Sequence, residues 1–192
     1  MSPQPVADVR PVDDLELVRR ARTGDKDAFG ELAARHGTAM YRYARRMLRD
    51  DGAAEDCMQD ALVGALTSIG RFRGESAVRT WLFGILAHVV RRRMRDAVRH
   101  PVQGLPPDLV AGGAADRAGD PVATVQAHDL LAALELALAD LPELQRACWI
   151  LAEVERMSYA DVARVQSTTV GAVRGAVHRA RVNLERRLEP WR

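Results

Sequence analysis

MSYADVARVQSTTVGAVRGAVHRARVNL, residues 157–184, is the stretch on which the fold turns. Ser158 with Asp161 three residues on has the form of a capping box, so a helix starts there and runs to about Val165. A brief turn follows, then a longer basic helix from Val170 to about Leu188, stopped by Pro190. Two helices of these lengths around a tight turn make a helix-turn-helix, whose second helix enters the major groove of DNA. On it Arg174, His178 and Arg181 fall at i, i+4 and i+7 and share a face that Arg179 flanks, while Val170, Val173, Val177 and Leu184 form the apolar face opposite. Such a cationic, hydrogen-bonding face suits phosphates and guanine edges. A merely solvated, arginine-rich helix face would carry the same residues, so the wider chain has to decide.

Working upstream, helices are expected over Gln126 to Asp140 and Pro142 to Glu155, with Pro142 in a first turn that needs no amide donor. Before them residues 99–125 are rich in proline and glycine and have no sustained period, which reads as a flexible linker. A second helical set precedes the linker. Leu15, Leu17, Val18 and Ala21 give a short amphipathic helix ended by Gly24. Asp25 or Asp27 can cap a long one to about Arg49, with Phe29, Leu32, Ala33, His36, Met40, Tyr43, Ala44 and Met47 along its buried stripe. Ala53 to Ile69 repeats the period with Cys57, Ala61, Leu62, Ala65, Leu66 and Ile69, and a loop of the type RFRGES leads to a fourth helix from Val78 to about Val98. The expected architecture is all-α: a tail over 1–12, a four-helix unit over 13–98, a linker over 99–125 and a second small helical unit over 126–192.

Net charge is only +2, so the distribution of charge carries the information. Asp50, Asp51, Glu55, Asp56 and Asp60 stand in one stretch without a base, whereas Arg91, Arg92, Arg93, Arg95 and Arg99 crowd the end of the fourth helix. The last stretch adds Arg174, Arg179, Arg181, Arg186, Arg187 and Arg192 against Glu185 and Glu189. Two basic poles suit phosphate, and one acidic pole suits a protein. Cys57 and Cys148 lack metal or disulfide spacing and read as buried free thiols. No signal peptide and no apolar run of about 18 residues is present, so a cytoplasmic protein without membrane insertion is expected. Nucleophile elbows, P-loops and HExxH are absent, which leaves no expectation of catalysis, metal or cofactor.

With these segments in view, LPELQRACWILAEVERMSYADVARVQSTTVGAVRGAVHRARVNLERRL resembles region 4 of the extracytoplasmic-function RNA polymerase sigma factors, group 4 of the sigma-70 family. LVRRARTGDKDAFGELAARHGTAMYRYARRMLRD, AEDCMQDALVGAL and RFRGESAVRTWLFGILAHVVRRRMR resemble successive parts of region 2. The resemblance spans about 150 residues in the right order. It implies a non-enzymatic factor that binds core polymerase, directs promoter recognition, DNA melting and initiation for a stress or envelope regulon, and is held in check by an anti-sigma factor.

The same resemblance assigns surfaces. Glu55, Asp56, Gln59 and Asp60 would dock on the β′ clamp helices of core polymerase, with Val63 and Leu66 as apolar anchors, while region 4 would meet the β flap. The loop from Phe72 to Arg79, including Arg73, would capture a base flipped from the non-template strand of the −10 element. His88, Arg91, Arg92 and Arg95 would hold DNA beside it. Thr169, Arg174, Gly175, His178, Arg179 and Arg181 would face the −35 element. Two departures stand out. Where the family has GTVRSR this chain has Gly171 to Ala176, lacking a hydroxyl and an arginine on the DNA-facing helix; and His88 replaces the usual Asn, whose paired donor and acceptor an imidazole cannot reproduce. An operator-binding regulator whose first unit senses a ligand or dimerises is the main alternative, and a protein that mainly titrates an anti-sigma factor is another.

Overall fold

The computed structural model describes residues 12–99 and 121–189, and among them every regular element is helical. The expected tail and most of the expected linker lie outside the described residues. In order, the helices are α1 (Asp14–Arg22), α2 (Lys26–Leu48), α3 (Asp51–Ser68), α4 (Val78–Arg99), α5 (Pro121–Ala139), α6 (Glu143–Trp149), α7 (Tyr159–Gln166) and α8 (Val170–Leu188).

Local chemistry sets most of the boundaries. The side chain of Asp25 accepts from the amide of Ala28 at 3.1 Å and starts α2, and Asp50 accepts from Ala53 at 2.7 Å and starts α3. Ser158 caps α7 through the amide of Asp161 at 3.1 Å, but the Asp161 carboxylate takes the Ser158 hydroxyl instead of completing a reciprocal box. Thr169 caps α8 through Ala172 at 3.1 Å. Between α7 and α8, Ser167 turns the chain in the left-handed region at φ 52°, and Thr168 donates back to the Ala163 carbonyl at 2.9 Å. That is the bond of a Schellman stop, made here without glycine.

Helix α5 begins five residues before the expected start, with Pro121 in the first turn. The helix expected over Pro142 to Glu155 also differs. Residues Glu143–Trp149 are α-helical, and Ile150–Val154 widen into a π turn closed by the Glu155 amide on the Ile150 carbonyl at 3.0 Å. A π turn adds a residue to the helical circuit and rotates the residues beyond it. Here it delivers Glu155, an acid that periodicity would have left in solvent, into the interior.

The two helical units share one core. Leu17, Leu32, Met40, Tyr43, Leu82, Phe83 and Leu86 from the first unit, and Ile150, Leu151, Val162, Val165, Val173 and Val177 from the second, belong to one continuous cluster of buried side chains. Each such side chain stabilises the fold by roughly 1.5–3 kcal/mol when fully buried. Tyr43 and Phe83 meet edge to face at 5.9 Å between ring centres. Helix α7 lies along α4 and α6 touches α2, so the units are packed together and not merely tethered. A smaller cluster of Ala137, Leu138, Leu141, Ala180 and Leu184 seats α5 on α8.

Several expected core positions face outward. Leu15, Leu66 and Val170 are nearly half exposed, whereas Val63, expected as an outward apolar anchor, is 63% exposed. Conversely Ala176 and Ala180 are buried and complete the apolar face of α8.

Candidate nucleic-acid interface

Helix α8 presents the face that its spacing foretold. Arg174, His178, Arg179 and Arg181 are exposed, and Val173, Ala176, Val177, Ala180 and Leu184 are buried beneath them. Because Ala176 is buried, an arginine there would point into the core of this packing arrangement. The missing arginine is therefore not a gap on the outer face. Gly175 has a specific use: a Cβ on it would stand 3.2 Å from the Arg179 guanidinium, so the glycine lets that side chain lie back along the helix. Arg181 reaches Glu153 at 2.6 Å, and the carboxylate holds its guanidinium pKa above the ordinary value. Arg187 pairs with Asp140, tying α8 to α5. Thr169 is committed as a cap, although its hydroxyl can still donate outward.

The second cationic surface is the outer part of α4 with the loop before it. Arg92 and Arg95 are exposed, and Arg92 stands 3.5 Å from Asp60. His88 is exposed in a groove between α3, α4 and α7 that it lines with Trp81, Arg92 and Arg164. Phe72 is buried and packed on Trp81 at 5.1 Å between ring centres, whereas Arg73 is 83% exposed by side chain. The loop thus has a fixed aromatic base and an exposed cationic lip.

Two of the expected DNA contacts are turned inward. Arg79 donates to the Glu155 carboxylate and to its main-chain carbonyl, both at 2.8 Å, and its guanidinium sits 5.4 Å from the centre of the Phe83 ring. Arg91 donates to the side-chain Oε1 of Gln166 at 2.8 Å, and the Nε2 of the same amide donates to the Tyr43 hydroxyl at 3.2 Å. Burial pushes that tyrosine up to about 12. Arg42 adds bonds to Glu155 of 3.0 and 3.2 Å. Sequence reasoning missed Glu155, Gln166 and Arg42. The only signal was an acid within an apolar helical run, with partners 113 and 76 positions away.

The acidic pole divides its labour. Asp50 caps α3, and Asp51 takes Arg45 at 2.7 Å and the Tyr41 hydroxyl at 3.0 Å. Glu55, Asp56, Gln59 and Asp60 remain on the exposed face, continued along the helix by Val63 and Leu66. Dipole stabilisation and an outward acidic face are thus carried by different residues. Both thiols are free and buried, and burial raises Cys148 to about 11. Among the described residues no helix is long and apolar enough to cross a membrane.

Comparisons with known proteins place the chain in a family. Residues 32–100 match the family described as Sigma-70 region 2, and residues 131–184 that described as Sigma-70, region 4. The chain is 35% identical over 175 residues to the ECF RNA polymerase sigma factor SigM of Mycobacterium tuberculosis, covering 91% of this chain and 84% of that one. It is 31% identical to the RNA polymerase sigma-H factor of Pseudomonas aeruginosa, covering 92% and 94%. Among solved structures it resembles CnrH bound to the cytosolic domain of CnrY, with a TM-score of 0.68 at 28% identity and coverage of 93% and 97%. It also resembles the sigma factor RpoE bound to the anti-sigma factor NepR from Bartonella quintana, with a TM-score of 0.70 at 26% identity and coverage of 84% and 96%.

Proposed function

The chain belongs to the extracytoplasmic-function group of the sigma-70 family, and on that premise we propose that it binds core RNA polymerase, carries it to promoters and helps to open them. The polymerase supplies the nucleotidyl-transfer chemistry, and this chain supplies recognition. The observation that carries the reading is the pairing of two cationic surfaces, one on α8 and one on α4, with a separate acidic and apolar face on α3. Each suits a different partner.

Glu55, Asp56, Gln59 and Asp60, with Val63 and Leu66 behind them, form the face for the β′ clamp helices. Their negative charge keeps this face off DNA and favours a basic protein surface. Arg174, His178 and Arg179 read the −35 element from the first half of α8, with Gly175 making room for Arg179 and Thr169 at its start. Arg181 joins them once it leaves Glu153. Arg73, His88, Arg92 and Arg95 hold the −10 region, and the loop beside Phe72 takes the flipped base.

Arg79 and Arg91 complete the −10 surface only after Glu155 and Gln166 release them. The packed form is therefore the resting form, and core polymerase separates the two units as it binds. CnrH and RpoE are each solved with a partner protein, and by the same logic an anti-sigma factor holds this chain in a form that polymerase cannot use.

The test is reconstitution. Purified protein added to sigma-free core polymerase should yield promoter-specific transcripts from upstream DNA of its own regulon. Tight operator binding by the isolated chain, with no transcripts from core, would favour a conventional regulator.

A further inference from the structure

The promoter contacts proposed for α4 use His88 and Arg92 but leave the floor of the groove between α3, α4 and α7 without a task. Its volume of about 720 Å³ lies in the range of pockets that hold drug-sized ligands. Trp81, Ile85 and Val89 of α4 form an apolar wall, and Val165 of α7 lines the same space from the other helical unit. Trp81 is half-buried and braced by Phe72 at 5.1 Å between ring centres, so its ring is held in place.

Two glycines inside helices keep the groove open. Gly64 of α3 lies against α4, where a Cβ would stand 3.4 Å from the Ile85 side chain, so close packing accounts for it. Gly84 of α4 has no such reason, because a Cβ there would meet nothing within 4 Å. A glycine in a helix interior is less stable than alanine. Its effect at position 84 is to leave open the space over α4, and that space is the groove. The rim is basic: His88 and Arg92 stand on α4 and Arg164 on α7, against Asp60 as the one carboxylate among the described lining residues. Arg92 stands 3.5 Å from Asp60 and Arg164 3.0 Å from Asp161, yet both arginine side chains are more than half exposed. Exposed pairs of this kind exchange readily for another anion.

A braced aromatic wall under a basic rim asks for a ligand that is flat and apolar in its body and anionic at one edge. An inorganic anion would leave Trp81 and the space over Gly84 unused, and a neutral aromatic would make no use of the rim. We propose that the groove binds a small planar aromatic carboxylate, with its ring over Gly84 against Trp81 and its anionic group between His88, Arg92 and Arg164. Because α4 and α7 belong to different units, such a ligand binds only the packed form and favours it by mass action. That regulatory consequence rests on the reading that core polymerase separates the units, whereas the binding itself does not.

The experiment titrates free full-length protein with 2-naphthoate and follows the ligand by saturation-transfer NMR. Binding with a Kd of about 1 mM or tighter is expected, the affinity that a ligand of this size reaches at ordinary efficiency. Gly84→Leu fills the groove from a position with room for the side chain and should abolish binding, with an unfolding midpoint at or above that of wild type. His88→Ala with Arg164→Ala leaves the floor intact and should weaken binding roughly tenfold. The neutral analogue 2-naphthylmethanol should bind wild type weakly by a similar factor. Absence of saturable binding to wild type at about 10 mM, well above that Kd, would overturn the site, as would unchanged affinity in either variant. Equal affinity for the alcohol would overturn the preference for an anion. With core polymerase bound, the difference between wild type and Gly84→Leu should vanish. If it persists undiminished there, the units stay packed on polymerase, and the regulatory consequence and the separation reading fall together while the free protein still decides the site.

Discussion

Arg79 and Glu155 are joined twice, the guanidinium donating to both the carboxylate and the main-chain carbonyl of the same residue at 2.8 Å. The Glu155 side chain is 1% exposed, while Arg79 and Arg42 keep 33% and 43% of theirs in solvent. The acid therefore depends on the contact more than the arginines do, because a buried carboxylate without partners is costly and a half-exposed guanidinium can return to water. Units one and two are locked by the residue that gains least from separating.

Glu155→Gln keeps the shape and removes the charge. Denaturant unfolding should show a loss of about 1–3 kcal/mol, below the range for stranding a fully buried charge because both arginines can be rehydrated. The free variant should scatter X-rays as a more extended particle and bind duplex promoter DNA roughly tenfold more tightly, since the competent fraction rises. Wild-type scattering and wild-type affinity together would show that Glu155 does not restrain the units.

Much of this molecule is legible in its sequence, and the exceptions share a cause. Helix α8, the caps at Asp25 and Ser158, and the stripe from Leu32 to Met47 follow from local spacing and capping chemistry. The π turn, the inward course of Glu155 and the capture of Arg79 and Arg91 depend on partners in the other unit. Periodicity describes a helix against a generic interior, and it cannot tell which unit supplies that interior. Leu66 is the reverse case: its spacing fits a core stripe, yet it lies exposed beside Val63.

Alkaline pH should unlock the core through two groups. Burial raises Cys148 to about 11 from an ordinary 9.0, and Tyr43 to about 12 from 10.0. In the unfolded chain these groups ionise at the lower values, so their contribution to stability is complete below pH 9 and is lost as pH climbs through 11 and then 12. The unfolding free energy from denaturant titrations should fall between pH 9 and 11 in wild type, by about 2–3 kcal/mol from the thiol, and fall less in Cys148→Ala. Equal pH dependence in both proteins would rule Cys148 out as a source of the alkaline loss.

The α3 face can be tested by charge. Asp56→Arg together with Gln59→Ala should abolish co-purification with core polymerase, because both residues are exposed and their change leaves the core intact. Circular dichroism should match wild type. Val63→Ser alone should weaken binding in part, since a valine left 63% exposed on this face is placed for an apolar contact. A folded double variant that still binds core would place the docking surface elsewhere.

Residues of α8 that specify sequence can be separated from residues that hold the helix in place. Arg174 is exposed near the start of α8, where helix-turn-helix side chains reach base edges, whereas Arg187 at the far end is engaged by Asp140. Loss of a bidentate guanine contact costs roughly 1–3 kcal/mol of discrimination at one base pair. Arg174→Ala should therefore narrow the gap between the best and a scrambled −35 sequence in transcription with core polymerase, by roughly 5-fold to 150-fold. Arg187→Ala should leave that gap as it is and lower thermal stability slightly, because it only loosens α8 from α5. If Arg174→Ala lowers transcription from both templates by one common factor, the residue grips phosphate, and sequence readout falls to His178 and Arg179.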